Sequence, residues 1–274
     1  MKKLILAGVL LGTNALLSLG QWNDYSKNQR VVYLDGHQSN QIVVADEDGG
    51  CYILWQDTRM KDNLDQVYAQ HFDSLGNPSW KVDGVAIAPT GKRQRYLQAI
   101  PDNAGGVIAI WADHRDSISP TQTNVNLFGQ RINKSGTLLW GDKGKGLIIE
   151  KGEQNLPLLI EDGVGGFIMA WKDGGDIQAG RSSGYWMQRF SNSGAESWSK
   201  GGKLVHKVST VFSSSLKWSM CPDGQNGAVL VYNESTSDIT EASNIYGHRV
   251  DANGIRHWKP DIDTIANIHF IERG

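Results

Sequence analysis

The sequence predicts an all-β fold: a β-propeller-like array of four-stranded antiparallel blades, with four modules visible. Three observations predict it. A block of fixed residue spacing recurs four times along the 274-residue chain. Short apolar runs alternate with glycine-containing turns inside each block. Beyond the first 20 residues, no stretch keeps a helical period.

The N-terminus comes first. Met1-Lys2-Lys3 is basic, Leu4 to Leu17 is mostly apolar, and Ser18-Leu19-Gly20 puts small residues before Gln21. That order is an export signal, and the apolar run is shorter than the roughly 20 residues a membrane span needs. Residues 1–20 are therefore expected to be a signal peptide and residues 21–274 the repeat domain. The expected location is secreted (periplasmic, cell surface or extracellular), with no membrane insertion after cleavage. Arg30 to Leu34 then reads as a strand ahead of the first module.

The modules span about 38–93, 94–153, 154–214 and 215–266. Gly50, Gly106, Gly166 and Gly227 anchor them. Each has an Asp four residues earlier (Asp46, Asp102, Asp162, Asp223) and an aromatic five later (Trp55, Trp111, Trp171, Tyr232). Two further on comes an acid: Asp57, Asp113, Asp173 or Glu234. A second block follows, with Gln70, Gln130, Gln188 or His248, then a Gly six residues later, then Trp80, Trp140, Trp198 or Trp258. Spacing inside the blocks is invariant, whereas the stretch between them varies. Rigid strand pairs joined by surface loops give that pattern.

Each module reads as four strands, A to D. In the third, Leu156 to Ile160 is strand A and Phe167 to Trp171 is strand B. Tyr185 to Phe190 alternates as strand C, and Trp198 to His206 supplies strand D. Asp162 to Gly166 and Ser191 to Gly194 are turns in which Gly adopts positive φ. The A–B and C–D turns then lie on one face. The B–C and D–A loops lie on the other.

Recurrence assigns the aromatics. A group needed once for chemistry has no reason to appear four times in register. Trp55, Trp111, Trp171, Tyr232, Trp80, Trp140, Trp198 and Trp258 are expected as core between blades. Each buries roughly 150–250 Å², or roughly 4–6 kcal/mol before entropy costs. The four Gln/His positions are expected to hydrogen-bond between blades. Four modules plus one strand leave the ring incomplete, needing further sequence or a partner chain to close.

The loop face is the expected binding face, because variable loops on a rigid scaffold carry function. Its candidate residues are Asp57, Arg59, Asp113, Arg115, Asp173 and Glu234, with Gln38, Gln94 and Gln154 on the D–A loops. The competing reading is structural: the same acids cap loop amides and tie down the arginines.

Composition narrows the function. A formal charge of -2 argues against a nucleic-acid partner. The seven His lack metal-site spacing, no nucleophile elbow is present, and no cofactor or metal is expected. Cys51 and Cys221 are expected as buried free thiols, pairing only if four blades close a ring. The leading reading is an extracellular binding or interaction module, with a glycan or a peptide as ligand. The alternatives are a secreted glycosidase or lyase and a spacer without a ligand.

The motif D-x3-G-x4-W-x-D, followed by Y-x-Q-R and G-x3-W, resembles an uncharacterised family of secreted bacterial repeat proteins. The resemblance covers roughly residues 30 to 266. It implies a propeller-like fold and export rather than a reaction. The fourth copy departs from the motif at Tyr232, Glu234 and His248.

Overall fold

The computed structural model describes residues 30–60, 64–119, 123–176, 178–208, 217–235, 243–258 and 264–266. The proposed signal peptide lies outside them. No helix among the described residues is long and apolar enough to cross a membrane.

The described strands form four antiparallel sheets, each in sequence order. The first contains β1 (Gln38–Ala45), β2 (Cys51–Asp57), β3 (Gln66–Phe72) and β4 (Val85–Ala86). The second contains β5 (Gln94–Pro101), β6 (Val107–Asp113), β7 (Asn126–Ile132) and β8 (Lys145–Ile148). The third contains β9 (Gln154–Glu161), β10 (Phe167–Asp173), β11 (Gly184–Phe190) and β12 (Lys203–Lys207). The fourth contains β13 (Trp218–Pro222), β14 (Ala228–Ser235), β15 (Ser243–Val250) and β16 (Thr264–Ala266). First strands pack on first strands: β1 on β5, β5 on β9, and β9 on β13. The sheets are thus blades arrayed about an axis that their first strands line. No comparable packing returns from the fourth blade to the first among the described residues, so the ring is open.

In the second and third blades both faces of the second strand are buried, its residues alternating between the two neighbours as a pleated strand requires. Tyr52 and Leu54 of the first blade share one core with Val107, Ala109 and Trp111 of the second. Ile108 and Ile110 pack with Phe167, Met169 and Trp171. Ile168 and Ala170 pack with Ala228, Leu230 and Tyr232. The aromatic five residues after the anchor glycine is therefore the centre of each interface, as the sequence predicts.

The tryptophan after the C–D hairpin makes a second joint. The Trp80 ring lies against Gly136, where an added Cβ would meet Nε1 at 3.1 Å. Trp140 lies against Gly194, and Trp198 against Gly254. Trp80 Nε1 donates to Lys134 O at 3.0 Å, and Trp198 Nε1 donates to Ala252 O at 2.9 Å. Each of the first three blades thus rests its indole on the glycine hairpin of the next.

The anchor glycines have a different cause from the one expected. The turn uses positive φ at Gly49, Gly105, Gly163, Gly165 and Gly224, not at the anchors. At Gly166 an added Cβ would come within 2.2 Å of Phe190 O, and at Gly50 within 2.2 Å of Phe72 O. The neighbouring strand's carbonyl leaves no room for a side chain. The turn aspartate caps both amides it can reach: Asp162 Oδ1 accepts from Val164 and Gly166 at 2.9 and 2.7 Å.

Several expectations are corrected. Arg30 to Leu34 is not a strand; Tyr33 N instead donates to Asp83 Oδ1 at 2.9 Å, and the Tyr33 side chain is exposed. Strand D is shorter than expected, and its tryptophan stands in the loop before it. Trp258 is 38% exposed, since no next blade covers it among the described residues. Gln70, Gln130 and Gln188 act mainly within their blades. Gln188 Oε1 accepts from Arg189 N and Trp198 N at 3.0 Å, while Nε2 donates to Ser199 O at 2.8 Å. Gln130 also reaches across, to Ile87 O at 3.1 Å. The thiols are free but not buried: Cys51 is half-buried and Cys221 exposed.

Candidate functional site

Strand polarity brings the predicted acids to the ends of the second strands. There each becomes the hub of a clasp. Asp57 Oδ2 accepts from Trp55 Nε1 at 2.8 Å and from Arg59 Nη2 at 2.5 Å. Asp113 Oδ2 accepts from Trp111 Nε1 at 2.8 Å and from Arg115 Nη2 at 2.6 Å. Asp173 Oδ2 accepts from Trp171 Nε1 at 3.0 Å and from Arg181 Nε at 2.8 Å. The guanidiniums cover the aromatics before the Gln positions, at 4.0 Å from Tyr68, 3.6 Å from Phe128 and 4.0 Å from Trp186. Arg59 Nη1 donates to Asp83 O, Arg115 Nη1 to Lys143 O and Arg181 Nη2 to Gly201 O.

All three carboxylates are 0% exposed. Burial disfavours the charge of Asp57. Hydrogen bonds from Arg59 and Trp55 outweigh burial and hold its carboxyl below the usual value. In the first three blades the acids, through their arginines, therefore fasten the B–C loop to the stretch that leads into the last strand. Solvent meets only the edge of each arginine, and the carboxylate beneath it is covered. Glu234 ends the fourth copy on β14, and its side chain lies outside what the structure describes.

The three glutamines do not stand on loops. Gln38, Gln94 and Gln154 open β1, β5 and β9. Gln94 is wholly enclosed: Nε2 donates to Ala88 O at 2.7 Å and to Asp113 Oδ2 at 3.1 Å, and Oε1 accepts from Val67 N at 2.8 Å. Gln38 Nε2 reaches Asp57 Oδ1 at 3.4 Å. Gln154 is also buried, and its Nε2 is 3.5 Å from Lys151 O.

A polar groove beside the axis has lining residues that sequence reasoning missed. Its volume is about 420 Å³, and Asn40, Gln56, Asp65, Arg95, Tyr96 and Gln98 line it. A bulge that repeats in the first strands shapes it. Register breaks between Ser39 and Ile42, between Arg95 and Gln98, and opposite Ala170 to Lys172. The residue at the break is left-handed in three blades: Asn40 at φ 53°, Tyr96 at φ 56° and Leu156 at φ 52°. Asn tolerates that region; Tyr and Leu hold it at a cost of order 1 kcal/mol or more.

The bulge turns Tyr96 outward, 41% exposed. Around it, Asn40 Nδ2 donates to Gln56 Oε1 at 2.6 Å, and Gln56 Nε2 donates to Gln94 O at 2.5 Å. Arg95 Nε lies 3.6 Å from Asp65 Oδ2. The groove thus offers one aromatic face, one guanidinium, one carboxylate and several amides. Among the described residues, no cluster of His, Cys, Asp and Glu is arranged to hold a metal ion.

Two signals were available in the sequence. Asn40, Tyr96 and Leu156 each stand six residues before the turn aspartate, but three such different residues hide a shared backbone need. Arg181 completes the third clasp from eight residues beyond Asp173, not two. A loop of different length delivers the same guanidinium to the same place.

No family model matches the chain, and no curated protein does. Solved structures do. An ulvan lyase of polysaccharide lyase family PL25 aligns with TM-score 0.48 and 13% identity over 79% of this chain. This chain spans 56% of that lyase. A levansucrase from B. megaterium aligns at 0.47 and 11%, covering 92% of this chain and 75% of that one. An endo-arabinase from Bacteroides thetaiotaomicron aligns at 0.44 and 17%, covering 85% and 81%. At these scores the activities of those proteins do not bear on this chain.

Proposed function

We propose that the chain is an exported binding module that takes a polar, oligosaccharide-like ligand in the groove around Tyr96. One observation carries the reading: an aromatic side chain is held outward by left-handed backbone beside a ring of hydrogen-bonding groups. Sugar rings have apolar C–H faces and hydroxyl edges. An exposed phenol face with amides and a guanidinium at its margin matches both. The left-handed bulge recurs in three blades and belongs to the scaffold; what the second blade adds is an exposed aromatic at that position, where the first has Asn40 and the third Leu156.

Binding is favoured over hydrolysis by the carboxylate count. Glycoside hydrolysis ordinarily uses two carboxylates flanking the bond. In this groove Asp65 stands alone, beside Arg95 at 3.6 Å and Arg93 at 3.8 Å. The clasp acids Asp57 and Asp113 are already saturated. Export rests on the Met1 to Gly20 pattern, and N-terminal sequencing of the secreted protein tests it.

The binding test is an array of soluble polysaccharides and oligosaccharides probed with the chain and its Tyr96→Ala variant. The expected result is retention on at least one glycan, at least about tenfold weaker in the variant, with an unchanged melting temperature. Equal retention by the two proteins refutes the site. Release of reducing ends from a retained glycan refutes the non-catalytic reading.

A further inference from the structure

The same interface is built three times, and the chain carries one more half of it at each end. We propose that two copies of this chain join head to tail, the fourth blade of one seating on the first blade of the other.

Equivalent positions make the case. The residues two and four after the anchor glycine face the following blade. They are fully buried as Tyr52 and Leu54, Ile108 and Ile110, and Ile168 and Ala170. In the fourth blade they are Val229 and Val231, and both are only half-buried. The residues one and three after the anchor face the preceding blade. They are fully buried as Val107 and Ala109, Phe167 and Met169, and Ala228 and Leu230. In the first blade they are Cys51 and Ile53, again only half-buried. The deficit falls on the two terminal faces and on the positions that every internal interface covers.

The indole joint repeats the pattern. Trp80, Trp140 and Trp198 each rest on the next blade's hairpin glycine. Trp258 stands at the same position and is 38% exposed. The first blade has the matching element, the Gly76 hairpin, with Gly76 at φ 79° as in the other three. The occupant that fits the trailing face of this array is a blade with a small-apolar leading face and a glycine hairpin. The first blade of a second copy is that object. The joint is heterologous, because a leading face and a trailing face are different surfaces.

The two cysteines report on it. The residue two before the turn aspartate packs with the residue one after the next anchor in each interface: Val44 with Val107, Ile100 with Phe167, and Ile160 with Ala228. At a fourth such interface those positions are Cys221 and Cys51. Diamide therefore links them: two thiols lose two protons and two electrons, an S–S bond forms, and the N=N bond of the reagent becomes a hydrazine. Burial, then the charge of Asp46, pushes the Cys51 thiol up, so the reaction is run in alkaline buffer.

The purified chain is treated with diamide and sized under denaturing, non-reducing conditions. The variants Cys51→Ser and Cys221→Ser are run alone and mixed. The expected result is no crosslink in either variant alone and a crosslinked dimer in the mixture. Sedimentation should show self-association that Trp258→Glu weakens by about tenfold or more. A dimer in one variant alone, a disulfide closed within one chain, or a chain that sediments as a monomer and never crosslinks overturns the proposal. Neither serine variant removes core volume, so both remain informative even if Trp258→Glu perturbs folding.

Discussion

Acid stability gives a sharp test of the fourth blade. His248 stands where the other blades have glutamine, and it is buried. Its Nε2 meets Tyr232 OH at 2.9 Å. Burial first, then the charges of Arg256 and His206, lower its pKa from 6.5 to about 4. The unfolded imidazole takes up a proton near pH 6.5, whereas the folded one does not until about pH 4. Stability is therefore complete above pH 6.5 and drains away as the pH falls toward 4. The gap is worth about 3 kcal/mol, at about 1.4 kcal/mol per tenfold change in proton affinity. With a urea dependence of about 1–3 kcal/mol/M, the midpoint falls by about 1 M or more across that window. His114, also lowered, by burial and then by Arg95 and Arg93, adds loss of the same sign. The difference between the native chain and His248→Gln isolates the one residue. The variant restores the side chain that clasps the other three hairpins, and its midpoint should change less between pH 6.5 and 4.5. Parallel curves for the two proteins would show that the His248 environment is not the source.

The other predictions test the remaining joints. Asp113→Ala leaves the Trp111 Nε1 and Arg115 donors without their acceptor, and should cost about 3 kcal/mol or more by thermal unfolding. Gly166→Ala should destabilise more than Gly105→Ala, because a Cβ at 166 meets a carbonyl at 2.2 Å while 105 has open space. The second change carries only the left-handed penalty, about 1 kcal/mol; the reverse order would refute the steric account of the anchors. Trp198→Ala should cost about 3 kcal/mol and Trp258→Ala much less in the monomer, since of the two only Trp198 rests on a next blade among the described residues. Below about pH 4 a further loss is expected from Asp46. Burial opposes its charge, but hydrogen bonds from His71, Gly50 and Asp48, together with Lys134, hold its pKa below the usual value. Asp46→Asn should flatten that last segment of the pH curve.

Much of the architecture was legible because repetition exposes what a single copy hides. Trp111 and Trp171 recur at a fixed distance from Gly106 and Gly166, so packing was the economical explanation, and they are the centres of two interfaces. Strand D begins later than the sequence suggests, because Trp198 reads as a strand residue while its indole serves the neighbouring blade instead of its own sheet. The loop-face acids were read as binding candidates because the topology places them at strand ends. Their burial was invisible, since it depends on Arg59, Arg115 and Arg181 folding back over them.

The sequence by itself determined the blade: four strands, capped turns and aromatic centres, all set by contacts within about sixty residues and repeated until no other reading fits. The tertiary structure alone decided which polar groups are spent and which are offered. That division depends on side chains meeting across blades, and on a bulge that leaves Tyr96 outside while enclosing Gln94 a few residues away. Spacing along a chain records neither event, because each is a matter of where water can still reach.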